Sequence, residues 1–226
     1  MSLLNDILSF IYPLKCEVCG RVFSESECVI CSFCNMKLPR SNYHLDEVNP
    51  MIQLFWGRVE VLRASSYFFF YKGSPYQPLL HKLKYKGKKN IGLVLGKLFA
   101  AELLYTAFSE SDFIIPIPLH PKKQKKRGYN QSEMIAKGIN TLFNSELNTK
   151  ILLRKGFAET QTNKNRFERF LNMKDQFCVE APELIKGKSI LLVDDVVTTG
   201  STLEACAQLL NDAGCGEISI LTLAIA

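Results

Sequence analysis

The segment that most restricts what this chain can fold into runs Ser189-Ile190-Leu191-Leu192-Val193-Asp194-Asp195-Val196-Val197-Thr198-Thr199-Gly200-Ser201-Thr202. An apolar strand delivers two adjacent acids at its C-terminal end, the edge where open α/β sheets bind ligands. A loop of small hydroxyl residues around Gly200 follows, then a helix over Ser201 to Ala213 closed by Gly214. The free backbone N–H groups of such a loop and helix start form an anion nest, to which Thr and Ser hydroxyls add donors. Gly200 lets the main chain come close to a phosphate. Asp194 and Asp195 are poor neighbours for phosphate but good acceptors for sugar hydroxyls. A ligand with a diol at one end and a phosphate at the other satisfies both halves. A helix start capped by Ser or Thr is the plainer reading, yet capping requires neither two acids nor five small loop residues. The G-x-x-x-x-G-K-[ST] pattern of an ATP-type loop is absent.

The rest of the chain supplies a sheet to carry that loop. Val59 to Tyr71 is rich in β-branched and aromatic residues, a strand or hairpin signal ended by the turn Gly73-Ser74-Pro75. A helical pattern covers Asn90 to Phe108, a short buried strand Phe113 to Pro118, a helix Asn130 to Phe143, and an apolar strand Ile218 to Ile225. Strands apolar on both faces and separated by helices predict an α/β fold, a parallel sheet covered by helices. At 226 residues there is room for one such domain plus a small appendage. The apolar fraction of 47% and charged fraction of 22% argue against disorder. A net charge of +6 suits phosphate-bearing ligands or nucleic acid without proving either.

The appendage is the N-terminal stretch. Cys16-Glu17-Val18-Cys19 and Cys31-Ser32-Phe33-Cys34 are two CxxC pairs separated by eleven residues. Two such knuckles offer Cys16, Cys19, Cys31 and Cys34 as the tetrahedral ligands of a closed structural Zn²⁺ site. Cys28, one of the eight cysteines, makes an alternative CxxC with Cys31 and is a bystander or a substitute ligand. A metal-free redox cluster is the competing reading. A lobe with so little apolar sequence needs the metal to fold. The expected division is residues 1–47, a zinc-binding lobe with a leading helix, and residues 48–226, the α/β domain with its hood. Met1 to Tyr12 is apolar at helical spacing, with no basic leader or cleavage site, so neither a signal peptide nor a membrane span is expected and the location read from it is cytoplasmic.

Three basic stretches remain: His81-Lys82-Leu83-Lys84-Tyr85-Lys86-Gly87-Lys88-Lys89; Pro116-Ile117-Pro118-Leu119-His120-Pro121 running through Lys122 to Gly128-Tyr129-Asn130-Gln131; and Thr160-Gln161-Thr162 through Arg166, Arg169 and Asn172 to Phe177. The strand-acid-loop segment resembles the phosphoribosyl-pyrophosphate (PRPP) signature of type I phosphoribosyltransferases at every position. With the CxxC pairs and the elements L-K-Y-x-G, P-x-P-L-x-P, R-G-[YF]-N-Q and T-x-Q…R-x-x-N…F in that order, nearly the whole chain resembles the competence protein F (ComF/GntX-like) family.

That resemblance implies a type I phosphoribosyltransferase fold, PRPP and Mg²⁺ at the loop, and a role linked to DNA uptake in natural transformation. Asp194, Asp195, Val196, Val197, Thr198, Thr199, Gly200, Ser201 and Thr202 are then the PRPP-binding residues, with Asp194 and Asp195 the candidate catalytic pair. The backbone of Leu119 and His120 is expected at pyrophosphate, with Lys122 and Arg127 neutralising it; a solvated mobile loop over Lys122 to Arg127 is the alternative. The acceptor pocket is expected under a hood built from Val59 to Tyr76. Lys84-Tyr85-Lys86 and Arg127-Gly128-Tyr129 alternate cations with aromatics, a mixture that suits single-stranded DNA. Proteins of the DNA-import machinery are the other expected partners. A PRPP-responsive accessory factor without turnover would carry the same loop as a transferase.

Overall fold

A computed structural model describes residues 13–23, 29–155 and 176–226. The leading helix expected over Met1 to Tyr12, Cys28, and the stretch Thr160 to Asn172 lie outside the described residues.

Five strands form one parallel sheet in the order β1-β7-β6-β2-β3: β1 Arg63–Phe69, β2 Phe113–Pro116, β3 Glu146–Leu147, β6 Ile190–Val197 and β7 Ile218–Ile225. A separate antiparallel pair joins β4 Leu152–Arg154 to β5 Phe177–Val179. Side chains of a strand alternate between faces, and the central strand shows it: Leu191 and Val193 enter one apolar cluster, Ile190 and Leu192 the other. The first cluster is covered by α3 Gln77–Tyr85, α4 Asn90–Leu103 and α6 Gln131–Ile139. The second is covered by α7 Ser201–Asp212 and by the short α2 Pro50–Gln53 with Phe55. The parallel sheet covered by helices expected from the sequence is thus observed. Helices α4 and α6 touch backbone to backbone, since a Cβ on Gly96 would lie 2.3 Å from the Ile135 carbonyl oxygen. No larger residue fits there.

The cysteine segment packs on the first cluster. Lys15 and Val22 form an antiparallel bridge around the first CxxC turn, and α1 Ser32–Met36 starts at Cys31. Arg40 fastens this segment to the domain. Its Nε donates to Glu102 Oε1 at 2.6 Å, while Nη1 reaches the Asn35 carbonyl and Nη2 the Tyr67 hydroxyl. The Phe69 amide donates to the Pro39 carbonyl, so the chain after the knuckle covers the outer edge of β1.

Two expectations change. Val59 to Tyr76 is not a hood over the ligand: residues 63–69 of it are β1, a strand of the main sheet, and Phe68 is fully buried beside β7. Lys122 to Arg127 is not a loop but the body of α5 Pro121–Arg127. Pro121 occupies the first turn, where its missing N–H costs nothing, and Gly128 at φ +79° ends the helix in the left-handed region.

Candidate functional site

The site opens where two neighbouring strands stop being neighbours. β2 and β6 pair up to Pro116 opposite Val193, and the Ile117 amide still donates to the Val193 carbonyl at 2.9 Å. β6 then continues four residues alone on that side, through Asp194 to Val197, while β7 pairs its other edge as far as Ile225. The chain leaves β2 toward β3 on one side and β6 toward β7 on the other, so this gap is the sheet's switch point, where α/β folds bind ligands. The strand therefore carries the acids within its last four residues rather than just beyond its end.

Two cavities meet at Asp194. One is lined by Val196, Val197, the loop Thr198 to Gly200 and the start of α7. Gly200 sits at φ +74° as the residue before α7, and no side chain caps that helix. Its first amides are left for an anion. The loop is shaped from outside by a residue the sequence did not mark. Arg58 donates from Nη1 to the Leu54 carbonyl at 2.7 Å and to the Thr199 carbonyl at 3.2 Å, and its Nη2 pairs with Glu204. Glu204, in the first turn of α7, is thereby neutralised where an anion would approach. A Cβ on Gly200 would lie 3.2 Å from Phe55 Cε1. Gly200→Ala combines that contact with a positive φ, so thermal denaturation is expected to show a loss of about 1–3 kcal/mol.

The second cavity, of about 340 Å³, is lined by Lys84, Pro118, Leu119, Arg127, Asp194 and Asp195, with Lys123 and Arg154 adding charge. Four cations face two acids, so the cleft attracts anions. Asp194 Oδ1 accepts from Ser132 Oγ and from the Asp195 amide, both at 2.8 Å. Burial and then the Asp195 charge push the Asp194 carboxyl up to about 7, against the pull of those two donors and of Lys84. Asp195 pairs instead with Lys84 Nζ at 3.1 Å. Arg154, on β4, stands over the Phe177 ring, and burial draws its guanidinium down from the ordinary value, opposed by Cys206 and Asp194.

The residues expected at pyrophosphate divide. Leu119 and Arg127 line the cleft; Lys122 does not, and Lys123 on the next face does. The His120 side chain is spent as the cap of α5, its Nδ1 accepting from the Lys122 amide at 3.2 Å. Of the two candidate stacking tyrosines, Tyr85 is exposed, with Arg127 5.1 Å from its ring centre. Tyr129 is half-buried against the helices and donates its hydroxyl to the Leu83 carbonyl, a packing role. Ser132, Arg154 and Arg58 carry no mark in the sequence, and Lys84 is marked only as part of a basic, DNA-suited stretch. Only the Asn130-Gln131-Ser132 helix start, with Asn130 capping the Ser132 amide, left a local signal.

The sulfur atoms of Cys16, Cys19, Cys31 and Cys34 all lie within 4.8 Å of one another, and those of Cys19 and Cys31 are 3.8 Å apart. A tetrahedron with Zn–S bonds near 2.3 Å has edges of about 3.8 Å. Backbone amides of Cys31 and Cys34 point at the sulfurs of Cys16 and Cys31, at 3.4 and 3.5 Å, and stabilise thiolates. Four sulfurs fit a closed metal site and leave no open position for water.

The phosphoribosyl transferase domain family matches residues 138–225, which contain β3 to β7 and the phosphate loop. DNA utilization protein YhgH of Escherichia coli is 28% identical over 212 residues, 92% of this chain and 88% of that protein. Competence protein F of Haemophilus influenzae is 30% identical over 160 residues, 66% of this chain and 68% of that protein. Competence protein ComFC of Streptococcus pneumoniae is 32% identical over 132 residues, 58% of this chain and 56% of that protein. Among solved structures, a hypoxanthine phosphoribosyltransferase from Staphylococcus aureus shares 15% identity at a TM-score of 0.40, over 69% of this chain and 73% of that one.

Proposed function

This chain belongs to the competence protein F family, and on that premise we propose that it binds PRPP with Mg²⁺ and transfers its ribose 5-phosphate to an acceptor. One observation carries this reading: the paired acids and the uncapped, Gly200-led loop sit side by side at the sheet's switch point, beside a cleft lined by cations. The loop Thr198 to Thr202 takes the 5-phosphate on its amides and hydroxyls. Asp194 and Asp195 accept from the ribose hydroxyls and hold C1 toward the cleft. Lys123 and Arg127 face the pyrophosphate, whose charge grows as its bond to C1 breaks. Asp194 and Asp195 are the residues that would hold Mg²⁺ beside the ligand, and the ion would supply positive charge to offset that of the leaving group. Residues 1–47 serve as a zinc-stabilised lobe, and residues 48–226 as the PRPP domain. Among the described residues no helix is long and apolar enough to cross a membrane; a cytoplasmic setting suits a PRPP-dependent reaction. The names of the relatives support a role in DNA uptake or utilization. Calorimetric titration with PRPP, with and without Mg²⁺, tests the reading. Micromolar, Mg²⁺-dependent binding is the expected result, and pyrophosphate release on adding single acceptors then separates transfer from binding alone. No heat at millimolar PRPP overturns the reading.

A second function class has its own observation. Helix α5 holds Lys122, Lys123, Lys125 and Lys126 on exposed surface, beside the Arg127–Tyr85 stack at the mouth of the cleft. Cations along a backbone track next to an open ring suit single-stranded DNA. Neutralising those four lysines is expected to lower DNA affinity and to flatten its dependence on salt by about 0.7 per lost phosphate contact. An unchanged slope in fluorescence anisotropy removes α5 from the interface.

A further inference from the structure

We infer that Lys84 is a further ligand-contacting residue of the PRPP site and that the cysteine knuckle sets its position through helix α3. The inference rests on the PRPP reading and adds to it a residue and a source of control outside the loop.

Lys84 occupies the last turn of α3, and its Nζ lies 3.1 Å from Asp195 Oδ1 with the side chain 26% exposed. It lines the same cleft as Leu119, Arg127 and Asp194. In the free site this ammonium offsets the charge of the acid pair. A ligand that brings its own cation and a diol to the acids takes over Asp195, and the four-carbon stem then lets Lys84 turn to the pyrophosphate without leaving the cleft. A point charge that can exchange partners suits lysine better than the planar fork of arginine.

A helix of nine residues has little stability of its own, so its neighbours decide where Lys84 stands. Several of those neighbours belong to the knuckle. Leu79, Leu80 and Leu83, all nearly inaccessible, join one cluster with Cys16, Cys31 and Cys34. At the helix start, the Tyr76 hydroxyl donates to the Cys34 carbonyl at 2.9 Å. In its last turn, Lys82 Nζ donates to both the Glu17 carbonyl at 3.0 Å and Glu17 Oε2 at 2.8 Å. Just beyond the helix, Lys88 Nζ reaches Glu17 Oε1 at 3.3 Å. Glu17 stands within the first CxxC turn, between Cys16 and Cys19. Lys82 and Lys84 are two residues apart and point to different partners, one to the knuckle and one to the acids. Glu17 and Lys82 are therefore positioning residues, acting on the ligand through Lys84.

The test is a double-mutant cycle on the full chain, read as PRPP affinity by calorimetry in the presence of Mg²⁺, with metal content and thermal midpoint measured for each variant. Lys84→Met is expected to weaken binding about ten- to hundredfold, and Lys84→Arg to recover part of that loss. Glu17→Gln keeps the side-chain shape while removing the charge that holds α3, and is expected to weaken binding severalfold at unchanged metal content. The double variant Glu17→Gln, Lys84→Met should bind no more weakly than Lys84→Met alone, because the first change acts only through the second residue. Full affinity in Lys84→Met overturns the inference while leaving the PRPP site standing. Additive losses overturn the knuckle's part in it. A wild-type chain that binds no PRPP overturns the PRPP reading itself, and the inference with it.

Discussion

The variant Asp194→Ala with Asp195→Ala is expected to lose at least about a hundredfold in PRPP affinity, and Asp194→Asn alone to gain stability. The loss follows from geometry. Both carboxylates sit on the stretch of β6 that β2 no longer covers, so no other side chain of the strand can reach the same diol. The gain follows from electrostatics. Burial and Asp195 push the Asp194 carboxyl up to about 7, above its ordinary value near 4. Between about pH 4 and pH 7 the folded protein keeps a proton there that the unfolded chain has released. Stability therefore falls as pH rises through that window and is level above it. Asp194→Asn alone removes the slope, and at pH 8 should raise stability by on the order of 1–3 kcal/mol, read as a higher thermal midpoint. A site that holds two acids together at the expense of stability is one where ligand or cation is meant to complete the charge balance. Unchanged PRPP affinity in the double variant, or a thermal midpoint in Asp194→Asn that is lower at pH 8, would sink this account of the acids.

The sequence made the acids, the loop and the four cysteines legible because each is a local pattern whose chemistry is contained in consecutive residues. β6 and β7 were legible for a related reason: buried parallel strands read as unbroken apolar runs. β1 shares that apolar character, but its place in the sheet depends on pairing with β7, whose residues lie more than 150 positions away. Nothing near Val59 to Tyr76 distinguishes an edge strand of the main sheet from a hood, and the aromatic run Phe68-Phe69-Phe70 suited either. The same distance hid the supports of the site. Arg58 reaches Glu204, Ser132 reaches Asp194 and Lys84 reaches Asp195 only after the sheet has formed. Helix α5 is a different kind of miss. Pro121 at its start and Gly128 past its end are ordinary helix punctuation, but the density of lysine between them resembles loop composition.

Emptying the proposed zinc site should be the most damaging single event for the fold, because the cysteine cluster is not a peripheral clip. Cys16, Cys31 and Cys34 are at most 5% exposed and share a core with Leu38, Leu79 and Leu83. Without a cation these sulfurs must either protonate at close quarters or move apart, and moving apart opens the core beneath α3. The wild-type chain is expected to carry one zinc, found by elemental analysis. Cys34→Ser should abolish that zinc and lower stability by on the order of 3–5 kcal/mol. Cys34 is also the residue whose backbone carbonyl receives the Tyr76 hydroxyl, so the damage should extend beyond the knuckle. Hydrogen exchange locates it: amides of α3 should lose protection together with those of the knuckle, while those of β6 and β7 keep theirs. A purified wild-type chain free of metal, with α3 fully protected, would mean that sulfur packing alone holds this corner and that the spacing of the four cysteines serves something other than a metal.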